Sequence, residues 1–235
     1  SMPDSARPSK HRNPYPFAHA RRTPPTALID TESQVDMKRL RQYRLDRVRA
    51  ELKRHDFAGI VLFDPINIRY ATGSRNMAVW TLHNAGRYAF IPAEGPVVLF
   101  EFHGCAHLSE GLESIAEIRP AKAWYFYAAG PLVEKRAGQG AAEIADLFRA
   151  HGGGNQRLAL DHCDLAGARA LQKLGVEPHE GEAAMEFARR IKSPDEIALM
   201  GVSIAVCEVG MARMRDALEP GITENQLWAK LHETN

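Results

Sequence analysis

Apolar residues recur at three- and four-residue intervals over residues 31–55, at Met37, Leu40, Tyr43, Leu45, Val48 and Leu52, with arginines and lysines between them. That period predicts an amphipathic helix whose basic face is solvated. The pattern then changes. Residues 57–63 form a short unbroken apolar run ended by Asp64-Pro65, which reads as a buried strand. Residues 64–70 predict a turn opening a short helix, closed by Gly73. Two strand-like runs, 88–92 and 96–101, flank Ala93-Glu94-Gly95 and predict a hairpin. Further strands are predicted at 115–119, 157–161 and 176–179. Helices are predicted at 134–150, stopped by Gly152-Gly153-Gly154, and near 165–174. Strands alternating with helices predict an α/β domain with a mixed sheet flanked by helices, over about residues 31–181.

The two ends read differently. Residues 1–30 carry six of the fourteen prolines and little periodic hydrophobicity. They predict an extended arm, disordered or laid across a neighbouring surface, with Tyr15 and Phe17 as aromatic anchors. Toward the other end, residues 183–191 predict a helix. Ser193-Pro194-Asp195-Glu196 then has the chemistry of a capping box with proline at the first helical position. A long amphipathic helix follows through Ile197, Met200, Ile204, Val209 and Met211 until Pro220-Gly221 breaks it, and Thr223 caps a further helix. A second domain is therefore expected to begin at residue 182 and to be incomplete at Asn235.

Composition narrows the class. Thirty Lys+Arg against 29 Asp+Glu leave a net charge of +1, too little to gather nucleic acid or anionic lipid. Three cysteines, Cys105, Cys163 and Cys207, make no disulfide framework and fit a reducing cytoplasm. No uninterrupted apolar run approaches bilayer thickness, so no membrane partner is expected.

Local chemistry is sparse. His103-x-Cys105-x-His107 would place three ligand-type side chains on one face of a strand, but no second pair completes a site. These residues and His162-Cys163-Asp164 read as polar groups at the sheet edge. No Gly-x-Ser-x-Gly elbow or phosphate-binding glycine loop is present. No cysteine stands out as activated. By themselves the residues support an α/β domain with an unfinished neighbour.

Three segments, in order, resemble a known family. Asn67-Ile68-Arg69-Tyr70-Ala71-Thr72-Gly73 resembles the N-I-x-Y-x-T/S-G segment of the creatinase/prolidase N-terminal domain. The run from Arg189 through Ser193-Pro194-Asp195-Glu196 to Ile197 resembles the R-x-I-K-S-P-x-E-I junction into the pita-bread catalytic domain. Pro220-Gly221-Ile222-Thr223-Glu224 resembles the P-G-x-T-E that opens the next helix. Within the family, the arm and residues 76–88 look most like the bacterial dimethylsulfoniopropionate lyases built on this fold.

The resemblance implies a homodimer and a dinuclear transition-metal centre of iron, manganese, cobalt or zinc. Its two Asp, one His and two Glu ligands would lie beyond Asn235, so no catalytic or metal residue is assigned within this chain. It also implies that the N-terminal domain reaches the partner's active-site mouth. Trp80, Arg87, Arg75 and His83 are then the candidate substrate-binding residues. Trp80 offers an aromatic face to a sulfonium cation, and an arginine fork suits a substrate carboxylate; packing of Trp80 at the dimer interface and a structural ion pair at Arg87 are the alternatives. An X-Pro dipeptidase or aminopeptidase of the same family is the alternative activity. A non-catalytic interaction module is the alternative of another class.

Overall fold

The computed structural model describes residues 35–76 and 86–234. The expected arm over residues 1–30 lies outside the described residues. The chain divides into two compact units, one from Val35 to Ile197 and one from Ala198 onward.

Helix α1 (Met37–Arg54) opens the first unit, its start capped by the Asp36 carboxylate. Strand β1 (Gly59–Leu62) follows, then helix α2 (Pro65–Thr72), capped by Asp64 and ended by Gly73 at φ 77°. The hairpin of β2 (Tyr88–Pro92) and β3 (Val98–Glu101) forms as predicted, with Tyr88 opposite Phe100. Strand β4 (Glu117–Pro120), the single-turn helix α3 (Phe126–Ala129) and helix α4 (Val133–His151) come next. Strand β5 (Leu158–Leu160), helix α5 (Leu165–Lys173), strand β6 (Pro178–Glu180) and helix α6 (Glu182–Arg190) complete the unit. Helix α7 (Pro194–Ala217) and helix α8 (Glu224–His232) follow.

One mixed six-stranded sheet organises the first unit, in the order β4-β3-β2-β1-β5-β6. The central strand β1 is antiparallel to β2 and parallel to β5. Alternation along β1 explains why its residues are all buried: Val61 faces one layer and Ile60 and Leu62 the other. One layer packs α4 and α5 on Val61, Phe90, Phe100 and Leu158. The opposite layer packs α1, α2 and α6 on Ile60, Ala89, Leu99 and Ala159. Trp124, 1% exposed, fills the first layer and donates its indole N–H to Asp164 at 2.7 Å.

Three expectations are corrected. The boundary at residue 182 moves to after Ile197, because α6 inserts Met185 and Ala188 into the core beside α1. Second, the basic face of α1 is solvated only in part: Lys38, Arg39, Lys53 and Arg54 are exposed, while Arg41, Arg44 and Arg47 are half-buried against Glu113, Glu196 and the Phe187 carbonyl. Third, α7 is not one-sided. Its apolar residues are spread around the helix, and Ile197, Met200, Ile204 and Met211 are exposed. With 24 residues and a mean hydropathy of 1.6 over its most apolar stretch, α7 is long and apolar enough to cross a bilayer. Counting uninterrupted runs missed it, since Gly201, Ser203, Glu208 and Gly210 interrupt the apolar residues.

Candidate functional site

The residues quoted for the resemblance do structural work. Asn67 donates to Asp161 at 3.0 Å, and the Phe63, Asp64 and His162 N–H groups converge on the same carboxylate. This ties the ends of the parallel neighbours β1 and β5 to the start of α2. Burial pushes the Asp161 carboxyl above its ordinary range, against four donors that favour its charged form. Tyr70 donates from its hydroxyl to the Ala188 carbonyl at 2.9 Å, and burial with the nearby Glu196 charge raises its phenol. Thr72 bonds back to the Ile68 carbonyl and accepts from the Ser74 N–H.

Beyond Gly73 a buried polar corner forms where β2 begins and β3 ends. With Tyr88 opposite Phe100, Arg87 and Glu101 are the next facing positions. The Arg87 Nε lies 2.9 Å from both oxygens of Glu101, and the two residues are 3% and 1% exposed. Glu101 also accepts from Asn76 Nδ2 and from the Phe102 N–H, each at 2.8 Å. Arg87 Nη2 donates to the Ser74 hydroxyl, which bonds the Ser109 hydroxyl.

The four candidate substrate residues are placed as follows. Trp80 and His83 lie outside the described residues. Arg75 is exposed, next to buried Ser74. Arg87 turns inward as a buried partner of Glu101, so the alternative reading as a structural ion pair replaces the open fork for a carboxylate. Its guanidinium is taken up by charge and hydroxyl groups of its own unit. The sequence reading missed Glu101, Ser74 and Ser109. Only the hairpin register signalled Glu101, as the acid at the end of an apolar strand facing an arginine.

The metal-like cluster is rearranged. Strand β3 ends at Glu101, and Cys105 precedes a 3-10 turn at Ala106–Leu108, so His103, Cys105 and His107 do not share a strand face. Among the described residues, no group of three or more His, Cys, Asp or Glu is gathered to hold a metal ion. Cys163 packs against the core, and burial pushes its thiol up to about 12, the opposite of an activated nucleophile. Asp164 is exposed and caps α5, accepting the Gly167 N–H at 2.7 Å.

Comparison with known proteins fits this architecture. The chain is 38% identical over 205 residues to the dimethylsulfoniopropionate lyase DddP of Roseovarius nubinhibens, covering 85% of this chain and 46% of the relative. It is also 38% identical over 216 residues to the lyase DddP of Roseobacter denitrificans, covering 89% and 47%. The chain thus spans about half the length of the curated relatives it matches. Among solved structures, a Bacillus anthracis Xaa-Pro dipeptidase superposes with a TM-score of 0.57 at 16% identity, covering 83% of this chain and 48% of that one. A Thermococcus sibiricus prolidase gives 0.59 at 19% identity, covering 81% and 48%. At such identities the likeness shows the fold alone. Residues 44–193 match the creatinase/prolidase N-terminal domain, so the chain belongs to the creatinase/prolidase family.

Proposed function

We propose that the full protein is a metal-dependent dimethylsulfoniopropionate lyase, releasing dimethyl sulfide and acrylate, and that it works as a homodimer. The carrying observation is the 38% identity to two DddP lyases, which extends over 85% and 89% of this chain. The reaction removes a proton from the carbon next to the carboxylate. The resulting electron pair forms the carbon–carbon double bond as the bond to sulfur breaks.

The metal that the family implies does not fit the described residues of this chain, which gather no ligand set. The chain's own contribution is to recognition. Asn76 and Arg87, which bound residues 77–85, are both bonded to Glu101. Trp80 in that segment would offer its ring to the sulfonium group. Arg75, exposed beside it, suits the carboxylate of the substrate, and His83 would complete the contact set.

Hydrolysis of Xaa-Pro dipeptides is the second reading, favoured by the fold shared with the dipeptidase and prolidase. Incubating the full protein with dimethylsulfoniopropionate and with Xaa-Pro dipeptides separates the two. Dimethyl sulfide with no free proline is the expected result. Free proline without dimethyl sulfide reverses the assignment, and neither product favours a non-catalytic module.

A further inference from the structure

Exposed apolar side chains of the first unit gather at one edge of its sheet. Strands β1, β3, β4 and β5 all end at this edge, and β2 begins there. Ile66, Phe102, Phe126, Tyr127 and Leu165 lie in the segments that follow those strand ends, and all five are exposed. The two aromatic residues of α3 stand out furthest, Phe126 at 76% and Tyr127 at 95% exposed. One exposed apolar residue is ordinary, whereas several on one edge mark a surface made for contact.

The rings stand on a braced turn. Trp124, just before them, is buried and tied to Asp164. Arg136 of α4 donates to the Ala123 and Ala128 carbonyls at 3.3 and 3.1 Å, one on each side of the aromatic run. Ala129 ends α3 inside the fold. Tyr125 and Phe102 both border Gly86, where a Cβ would lie 2.9 Å from Tyr125 Cε1 and 3.6 Å from Phe102 Cδ2. Aromatic anchors fixed in advance lose little entropy when a segment settles on them.

The chain preceding α1 carries chemistry that matches this edge. Its first 28 residues hold six prolines, and Tyr15 and Phe17 fall within Asn13-Pro14-Tyr15-Pro16-Phe17. Proline-rich segments are pre-set for the polyproline II form, which docks on aromatic-lined surfaces. Residues 5–29 contain five Lys and Arg and no Asp or Glu, while exposed Asp164 and Glu134 flank the aromatic run. Reach is sufficient. Val35 lies 18 positions after Phe17, a span of up to about 60 Å, against roughly 40 Å for the width of a unit this size. Early in α1, Arg41 bonds Glu113 at 2.7 and 2.9 Å, in the loop that follows exposed Leu108.

We propose that residues 13–17 of the chain's own arm dock on the edge formed by Phe102, Tyr125, Phe126 and Tyr127, with Tyr15 and Phe17 against the exposed rings. The inference stands apart from the lyase reading, and its test reads no activity.

The full protein carrying Tyr127→benzoylphenylalanine is irradiated, and the cross-linked peptides are identified by mass spectrometry. Tyr127 is almost fully exposed, so the replacement leaves the fold in place. The expected product is a cross-link within one chain, from position 127 to residues 10–20. Adding Tyr15→Ser with Phe17→Ser should lower its yield roughly tenfold or more, as loss of two aromatic anchors requires. The control is Leu174→benzoylphenylalanine, at the end of α5 on the opposite edge of the sheet, which should not capture the arm. Equal capture of the arm from positions 127 and 174 overturns the proposal, as does a yield unchanged by the Tyr15 and Phe17 replacements. Cross-links to residues 77–85, to residues after 197 or between two copies also overturn it, since each names another occupant for the edge.

Discussion

Arg87 and Glu101 face each other one position beyond the Tyr88–Phe100 rung of the hairpin, 2.9 Å apart and almost wholly buried. A pair this enclosed is weak evidence of net stabilisation. Breaking it is costly, because the remaining charge is stranded. Here the stranded group would be a carboxylate that also holds Asn76 and the Phe102 N–H.

Replacing Arg87 with Met should therefore destabilise the chain by about 3–5 kcal/mol. The double variant Arg87→Met with Glu101→Leu should recover much of that loss, since both charges are gone. Urea unfolding of the three proteins checks it. Equal loss in the single and double variants would assign the cost to packing instead.

Gly140 on α4 is a second sensitive point. A Cβ there would lie 2.4 Å from Cζ3 of Trp124 and 3.2 Å from the Tyr88 hydroxyl. Alanine normally gains about 1 kcal/mol over glycine within a helix. Trp124 is buried and held by Asp164, so it cannot step aside. Overpacking of about 1–3 kcal/mol should win. The expected result is a lower melting temperature for Gly140→Ala, with helix content unchanged by circular dichroism.

Acid should loosen the carboxylate ties. The Arg39 guanidinium holds the Asp195 carboxyl below its ordinary value, and Arg41 does the same to Glu113. For a carboxyl depressed in the folded state, the stabilisation is full above the unfolded value. It is lost as pH falls through the folded value. The urea midpoint should therefore drop steadily below about pH 4. Glu113→Gln should flatten that slope, and an unaltered slope would remove Glu113 from the account.

In the full protein, Trp80→Ala should lower lyase kcat/KM about tenfold, matching a lost cation–π contribution of about 1–2 kcal/mol. Metal content and dimerisation should stay as in the parent. Unaltered kinetics would reduce Trp80 to packing, and loss of the dimer would make it an interface residue.

The strand and helix order was readable because its signals are local. The β1 run is unbroken because both faces of the strand are covered, and the hairpin is marked by Gly95 at φ 118°. Ser193 and Glu196 declared their capping box in four residues of sequence. What stayed hidden depends on contacts across the chain. The α1 arginines look the same whether they face water or residues 150 positions away, as Arg44 and Glu196 do. Arg87 is likewise an open fork or a buried partner depending on which side of the hairpin end it takes. For α6, amphipathic spacing revealed a buried face but not whose core that face joins.

The pairing of β1 with β5 has a consequence for the order of folding. Gly59 and Leu158, side by side at the centre of the sheet, stand about 100 residues apart in the chain. Its antiparallel neighbour β2 arrives first, after residues 63–87, and β3 pairs with β2 across the short turn of residues 93–97. During synthesis, β1, β2 and β3 can zip together while the β5 edge of β1 still lacks its neighbour. That edge stays open until α4 and β5 are made, and closing so long a loop is slow. The newborn chain is therefore most exposed to mispairing after its hairpin has formed and before residue 160 has emerged.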